Sequence, residues 1–260
     1  MEPAGLGLQG AGIAFALVMA AAAAAQAALV LRGAAGFVPD LRVRPSAALF
    51  GRILSVGLVA CAMAAVANLA TILVTARVAS HGAAAVAAFG ISARIEFLMV
   101  PLAFGVGSAL TALVGRAAGA GDWPGARRTA WTGGLLALAL TGAVGLLVSL
   151  FPGPLAAAFA RDPEVVAIAT VALGTIGPAL PAFGLGMALY FAAQGAARLA
   201  GPFAAALARI GLAAGGGAAL GAAFGLAGVF AAVALGLLAY GAAVAASVRP
   251  GVWRARSGTG

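Results

Sequence analysis

The stretch from Ala84 to Asp122 constrains this chain more than any other part of the sequence. It is almost wholly apolar and long enough to cross a bilayer as one helix, which takes about 20 residues for a hydrocarbon core of about 30 Å. Arg94 and Glu96 place ionisable groups inside it, and Pro101 follows without a backbone N–H. Because a charge at membrane depth costs at least ~2.5 kcal/mol on insertion scales, Glu96 is a functional candidate.

The composition extends this conclusion to the whole chain. Of its 260 residues, 64% are hydrophobic and 8% are charged, whereas about 25% are charged in soluble domains. We therefore predict an all-α, polytopic membrane protein that is embedded in the lipid bilayer. The net charge of +9 comes from arginines that cluster between apolar runs. Such arginines are typical of loops that set membrane topology, so we predict no nucleic-acid partner.

The apolar runs predict seven transmembrane helices. The first run is too long for a signal peptide, and Glu2 stands where a signal peptide carries basic residues, so we interpret it as a retained helix. Pro39 and Pro45 flank a basic linker that follows it. The predicted helices cover residues 8–31, 53–77, 84–114, 129–151, 163–193, 201–222 and 226–248, with a short interfacial piece at 152–160.

The arginines also predict the orientation in the cell (inner) membrane. Alternating loops divide most of them unequally between the two sides, and the richer side is expected to be cytoplasmic. The amino terminus is then outside and the carboxyl terminus in the cytoplasm. The richer side holds arginines 32, 42, 44, 52, 116, 127, 128, 198, 249, 254 and 256, the poorer side holds 77 and 161, and 94 and 209 fall inside helices.

Two groups of residues besides Glu96 are candidates for an ion or substrate pathway. Asn68, Thr71 and Thr75 share one face of the second helix and predict either a cavity lining or hydrogen bonds between helices. Pro178 and Pro181 deprive two carbonyls of their donors, and non-helical backbone at this depth is typical of a cavity lining.

Glu96 itself needs a partner that its own helix does not offer. Arg94 lies two positions away, roughly 200° around the axis, so a direct pair between them is not expected. Glu96 must therefore pair with another helix, bind a cation or stay protonated. Pro101 removes the donor for the carbonyl of Phe97, and a carboxylate beside a freed carbonyl suits a Na⁺ or H⁺ relay.

The sequence favours transport over catalysis. It shows no metal-ligand cluster and no nucleophile–base pair, so we predict neither an enzyme nor a cofactor. Cys61 is the only cysteine, and its place in an apolar run predicts a small buried hydrophobic residue.

The third predicted helix and its exit loop resemble a known family. The residues Gly90-Ile91-Ser92-Ala93-Arg94-Ile95-Glu96, then Pro101, then Gly119-Ala120-Gly121-Asp122 are similar to the MATE (multidrug and toxin extrusion) transporters. Gln194-Gly195-Ala196 and Asp162-Pro163-Glu164 resemble later loops of the same family. The resemblance implies an N-terminal helix and basic linker at residues 1–51 and a six-helix carboxy-terminal lobe at residues 52–260.

The resemblance also implies a function. MATE transporters have two six-helix lobes around a central cavity, so this chain is expected to be, or to form half of, a secondary antiporter. It would export drugs or organic cations and metabolites in exchange for H⁺ or Na⁺, with a first-lobe half or a second copy completing the cavity. The alternatives are a lipid-linked oligosaccharide flippase of the same superfamily and a non-transporting membrane fragment or scaffold.

Overall fold

The structure is a computed structural model that describes residues 7–33 and 46–253. The predicted linker prolines and the arginines at 42, 44, 254 and 256 lie outside these residues. The chain divides into two compact units, residues 1–57 and 58–260. The described residues form these α-helices: α1 (Gly7–Leu31), α2 (Ala47–Ala79), α3 (Ala83–Gly119), α4 (Trp123–Leu150), α5 (Pro152–Phe159), α6 (Pro163–Ile176), α7 (Leu180–Gly195), α8 (Ala200–Gly211) and α9 (Gly217–Ser247).

The helices confirm the all-α prediction and account for about seven membrane passes. Five segments are long and apolar enough to cross a membrane: 12–31, 83–119, 123–150, 163–195 and 200–247. The last of these is 48 residues long and contains a reversal, so it makes two passes. Helix α2, with 33 residues, is also long enough to cross. The short piece predicted at 152–160 forms the eight-residue helix α5.

The reversal in the last segment occurs at Gly225. This residue has φ 59° and ψ −144° inside α9, a left-handed conformation that glycine adopts without steric cost. A Cβ built on Gly228 would collide with the carbonyl oxygen of Leu220, and one on Gly221 would lie 3.0 Å from a methyl carbon of Val229. The two arms of the hairpin therefore pack with almost no side chain between them.

Two aspartates begin helices, each followed by a proline in the first turn. The Asp122 carboxylate accepts a hydrogen bond from the Gly125 N–H at 2.8 Å at the start of α4, whose first turn contains Pro124. The Asp162 carboxylate accepts from the Glu164 N–H at 2.9 Å at the start of α6. Each side chain satisfies an N–H that the helix itself leaves without a partner.

The prolines of the fifth predicted helix disturb it less than expected. The structure joins α6 to α7 through a 3-10 turn, Gly177–Ala179, which keeps the backbone helical instead of unwinding it. The turn packs closely on α4, because a Cβ on Gly145 would lie 2.7 Å from the Gly177 carbonyl oxygen and 3.1 Å from Pro181 Cδ. Pro101 likewise lies within an uninterrupted α3.

Helices α3 and α7 cross closely at the centre of the larger unit. A Cβ on Gly107 would overlap the Phe191 ring, so the absence of a side chain lets α7 approach. The Thr111 hydroxyl lies 3.0 Å from the Phe191 carbonyl oxygen on α7 and 3.1 Å from the Gly107 carbonyl oxygen on its own helix, α3. This contact fixes the register of two helices that line the candidate site.

The carboxy-terminal segment is anchored on the start of α4. Trp253 is fully buried, and Arg127 Nη1 donates to its carbonyl oxygen at 3.0 Å. Trp131 Nε1 donates to the Val248 carbonyl at 3.2 Å. Arg127, which the sequence suggests only as a topology-setting charge, therefore also holds the end of the chain. The prediction that Cys61 is buried is wrong, because the structure exposes it on α2.

Candidate functional site

A cavity of about 360 Å³ lies between helices of the larger unit. Its walls come from α2, α3, α7, α8 and α9, so residues far apart in the sequence meet there. It is lined by Val66, Asn68, Ala70, Thr71, Glu96, Phe97, Val100, Phe183, Met187, Tyr190, Ala206, Arg209, Ile210 and Tyr240. A mostly apolar lining with a few polar groups is typical of small-molecule sites.

An ion pair between α3 and α8 is the polar centre of this cavity. Arg209 Nη2 donates to Glu96 Oε1. The side chains of Arg209 and Glu96 are 15% and 19% exposed. The pair is therefore largely buried and still open to the cavity. Each charge compensates the other, which makes the cavity lining electrically neutral overall.

Aromatic side chains surround the guanidinium. Arg209 Cζ lies 4.9 Å from the centre of the Phe183 ring, a distance at which the ring face attracts a cation. Phe183 in turn packs against Tyr240, with ring centres 6.0 Å apart, and Tyr190 contributes a third ring to the lining. The cavity can therefore hold a flat or cationic organic group against ring faces.

The face of α3 that carries Glu96 packs inward along much of its length. Ser92, one turn before Glu96, is 2% exposed, and its hydroxyl has no hydrogen-bond partner in the described part of the chain. Ala103 and Gly107 further along the same stripe are buried. This arrangement explains why Glu96 points between helices instead of toward lipid.

The structure brings some of the predicted site residues together and separates others. Glu96, Asn68 and Thr71 line the cavity. The Thr75 hydroxyl donates to the Thr71 carbonyl at 2.7 Å and lies outside the lining, as do four further predicted residues. These four are the exposed Arg94, Pro101 and Pro178 and the half-buried Pro181.

Sequence reasoning missed Arg209 as part of the site. The sequence does place Arg209 inside the sixth predicted helix. A charged arginine within a membrane span is costly, as Glu96 is, and therefore indicates a functional residue. What the sequence does not give is the pairing across 113 residues. The aromatic walls carry no sequence signal, because Phe and Tyr are ordinary residues of membrane helices.

Comparison with known proteins identifies the family. The MatE family model matches residues 58–216, more than half of the chain. The chain belongs to the MatE family. This membership confirms the resemblance read from the third helix and makes the chain a multi-pass membrane protein related to multidrug transporters.

Individual relatives of this MatE chain agree with the assignment. The probable multidrug resistance protein NorM of Thermotoga maritima is 35% identical over 96 residues, which cover 37% of this chain and 21% of that protein. A crystal structure of MATE in the straight conformation matches with a TM-score of 0.81 and 22% identity over 92% of this chain and 55% of that one. The Vibrio cholerae MATE transporter VcmN in its bent form matches with a TM-score of 0.68 and 22% identity over 73% of this chain and 44% of that one.

These matches also set the relative lengths. The MatE chain spans about half the length of these two solved structures and about a fifth of the NorM relative. The structural matches, at 22% identity, show the shared fold. They extend over most of this chain and only part of the other proteins.

Proposed function

We propose that this MatE chain forms one lobe of a secondary antiporter that exports drugs or other organic cations and metabolites in exchange for H⁺ or Na⁺. The observation that carries the proposal is the cavity with Glu96 at its centre, between helices that cross the membrane. Proline-containing helices around an intramembrane acid are typical of secondary transporters. Residues 52–260 form the lobe, and residues 1–51 contribute the preceding helix and linker.

A second wall is needed to complete the pathway. The chain spans about half the length of the transporters whose fold it shares, and its cavity is lined by one bundle. Either a first-lobe half or a second copy of this chain supplies the opposite wall. The coupling ion acts at Glu96, and the oxygens of Asn68 and Thr71 line the same cavity.

The flippase alternative has less support. A carrier of an anionic lipid-linked sugar is expected to line its cavity with several arginines. Among the described residues only Arg209 lines this one, and Glu96 already compensates it. Arg94, inside α3, is exposed and outside the lining. A non-transporting scaffold would use the ion pair only to hold α3 against α8.

Ion-driven flux tests the antiporter directly. Inside-out membrane vesicles from the native host, with the gene present or deleted, are given an acidic lumen or a Na⁺-rich lumen. We expect one of these gradients to drive accumulation of a fluorescent organic cation only when the gene is present, and the matching ionophore to abolish it. Equal accumulation with and without the gene under both gradients would refute the proposal.

The orientation of the chain follows from its arginines. We propose that the amino terminus lies outside and the carboxyl terminus in the cytoplasm, because the arginine-rich loops favour the cytoplasmic side. In a Cys61→Ala background, Gly251→Cys is expected to react with a membrane-impermeant maleimide only after permeabilisation. His81→Cys, in the exposed turn between α2 and α3, should react in intact cells. The reverse pattern would invert the topology.

A further inference from the structure

We propose that Arg209 is a tethered cation that competes with ligands for Glu96 and thereby sets which ligand charge the cavity accepts. The proposal rests on the proposed function only in treating the cavity as a ligand site. An organic cation binds by taking the Glu96 carboxylate from Arg209. An organic anion binds by taking the guanidinium from Glu96.

The cavity lining contains one negative and one positive side chain. Glu96 and Arg209 are the only carboxylate and guanidinium among the described lining residues, and the others are aliphatic, thioether, aromatic, amide or hydroxyl groups. The field inside the cavity therefore depends on this pair. While the two side chains stay together, neither sign of charge is favoured, because their fields largely cancel.

Arg209 and Glu96 meet through a single contact. One guanidinium nitrogen, Nη2, meets one carboxylate oxygen, Oε1, which is not the two-point contact that makes an arginine–carboxylate pair most specific. Both side chains keep part of their surface exposed beside the cavity. A ligand can therefore approach either charge before the pair has separated.

Arg209 lies over the Phe183 ring and close to a π-helical turn. The Phe183 ring face, 4.9 Å from Arg209 Cζ, attracts a ligand cation as well as a guanidinium. A π-helical turn, Leu212–Gly216, begins three residues after Arg209, and such turns are frequent at functional sites. A Cβ on Gly215 would meet no atom within 4 Å. The turn packs on α9 through the buried Ala213 and is open at the exposed Gly215, so helix α8 ends in an irregular turn close to Arg209.

Two ions of matched shape and opposite charge test this competition. Tetraphenylphosphonium and tetraphenylborate are offered to the purified full chain in neutral detergent at pH 8.5, and binding is measured by equilibrium dialysis. Protein-free micelles give the background from partitioning, and the Glu96→Gln/Arg209→Gln double variant gives the binding that the cavity retains without either charge. Compared with the native chain, Arg209→Gln is expected to bind the cation about tenfold more tightly, and Glu96→Gln the anion about tenfold more tightly.

Controls separate this effect from net charge and misfolding. Arg161→Gln removes the same charge from an exposed position outside the cavity and should change neither affinity. Arg209→Lys keeps a cation beside Glu96 and should bind both ions as the native chain does. Helix content and gel-filtration behaviour show whether each variant folds, and the two single substitutions test the proposal independently.

The outcomes are distinct from those of the transport experiments, because binding is measured without a gradient or a second lobe. Opposite gains in the two single variants support the competition whether or not the chain transports. Unchanged or weaker cation binding in a folded Arg209→Gln variant would overturn it. Equal gains for both ions in either variant would also overturn it, because a merely enlarged cavity does not distinguish charge.

Discussion

Glu96→Gln is expected to lower ion-driven export of an organic cation by at least about tenfold, equivalent to ~1.4 kcal/mol. The glutamine keeps the shape of the side chain and can still accept a hydrogen bond from Arg209. It removes the charge that a proton or Na⁺ must neutralise. Among the described acids, Glu96 alone lines the cavity between the spanning helices, so no neighbouring carboxylate can replace it there.

The measurement is gradient-driven accumulation in inside-out vesicles, with the amount of protein in the membrane held equal. Glu164→Gln is the matched control, since it makes the same chemical change at an exposed position in the first turn of α6. That variant should accumulate the cation as the native chain does. Native accumulation in Glu96→Gln would show that Glu96 only joins α3 to α8.

A single copy of this chain is not expected to transport at all. An alternating pathway needs a wall on each side of the bound substrate, and the described cavity is lined by one bundle. Asn68 lies exposed at this cavity on a largely apolar helix, a placement that suits contact with protein better than with lipid. The chain also spans only about half of the transporters that share its fold.

The fold was largely accessible from sequence because the bilayer dictates so much of it. Apolar length sets the number of passes, and Asp122 and Asp162 mark two helix starts through a local interaction that the sequence shows. The tight turn at Gly225 was predictable for the same reason, since a glycine between two apolar runs permits the positive φ observed there.

The prolines show where local reasoning failed. Each lacks an N–H, which predicts broken helices. The structure keeps α3 continuous through Pro101 and turns the region before Pro181 into a 3-10 turn. At the 3-10 turn, packing contributes to this outcome, because Gly145 and Gly177 let α4 approach the turn closely. No pattern within the fifth helix alone reveals that support from α4.

The site was predicted only in part, for a related reason. Glu96 was found because a carboxylate in an apolar run is costly wherever it points. Asn68 and Thr71 were found because their spacing places them on one face. The partner of Glu96 depends on which helices become neighbours, and nothing in the residues around Arg209 specifies α3. The exposure of Cys61 is likewise a tertiary property that its apolar neighbours do not indicate.

Counting copies while measuring flux tests the central claim, that this chain is one lobe of a two-lobe transporter. The Cys61→Ala/Gly251→Cys variant has one cysteine, at an exposed position beyond the end of α9, and accepts one dye per chain, so photobleaching steps report the number of copies in each vesicle. The complex purified from native membranes, labelled in the same way, is the positive control. The account predicts that vesicles holding one copy of the purified chain accumulate no cation under either gradient. Accumulation in one-copy vesicles, lost in Glu96→Gln, would contradict it.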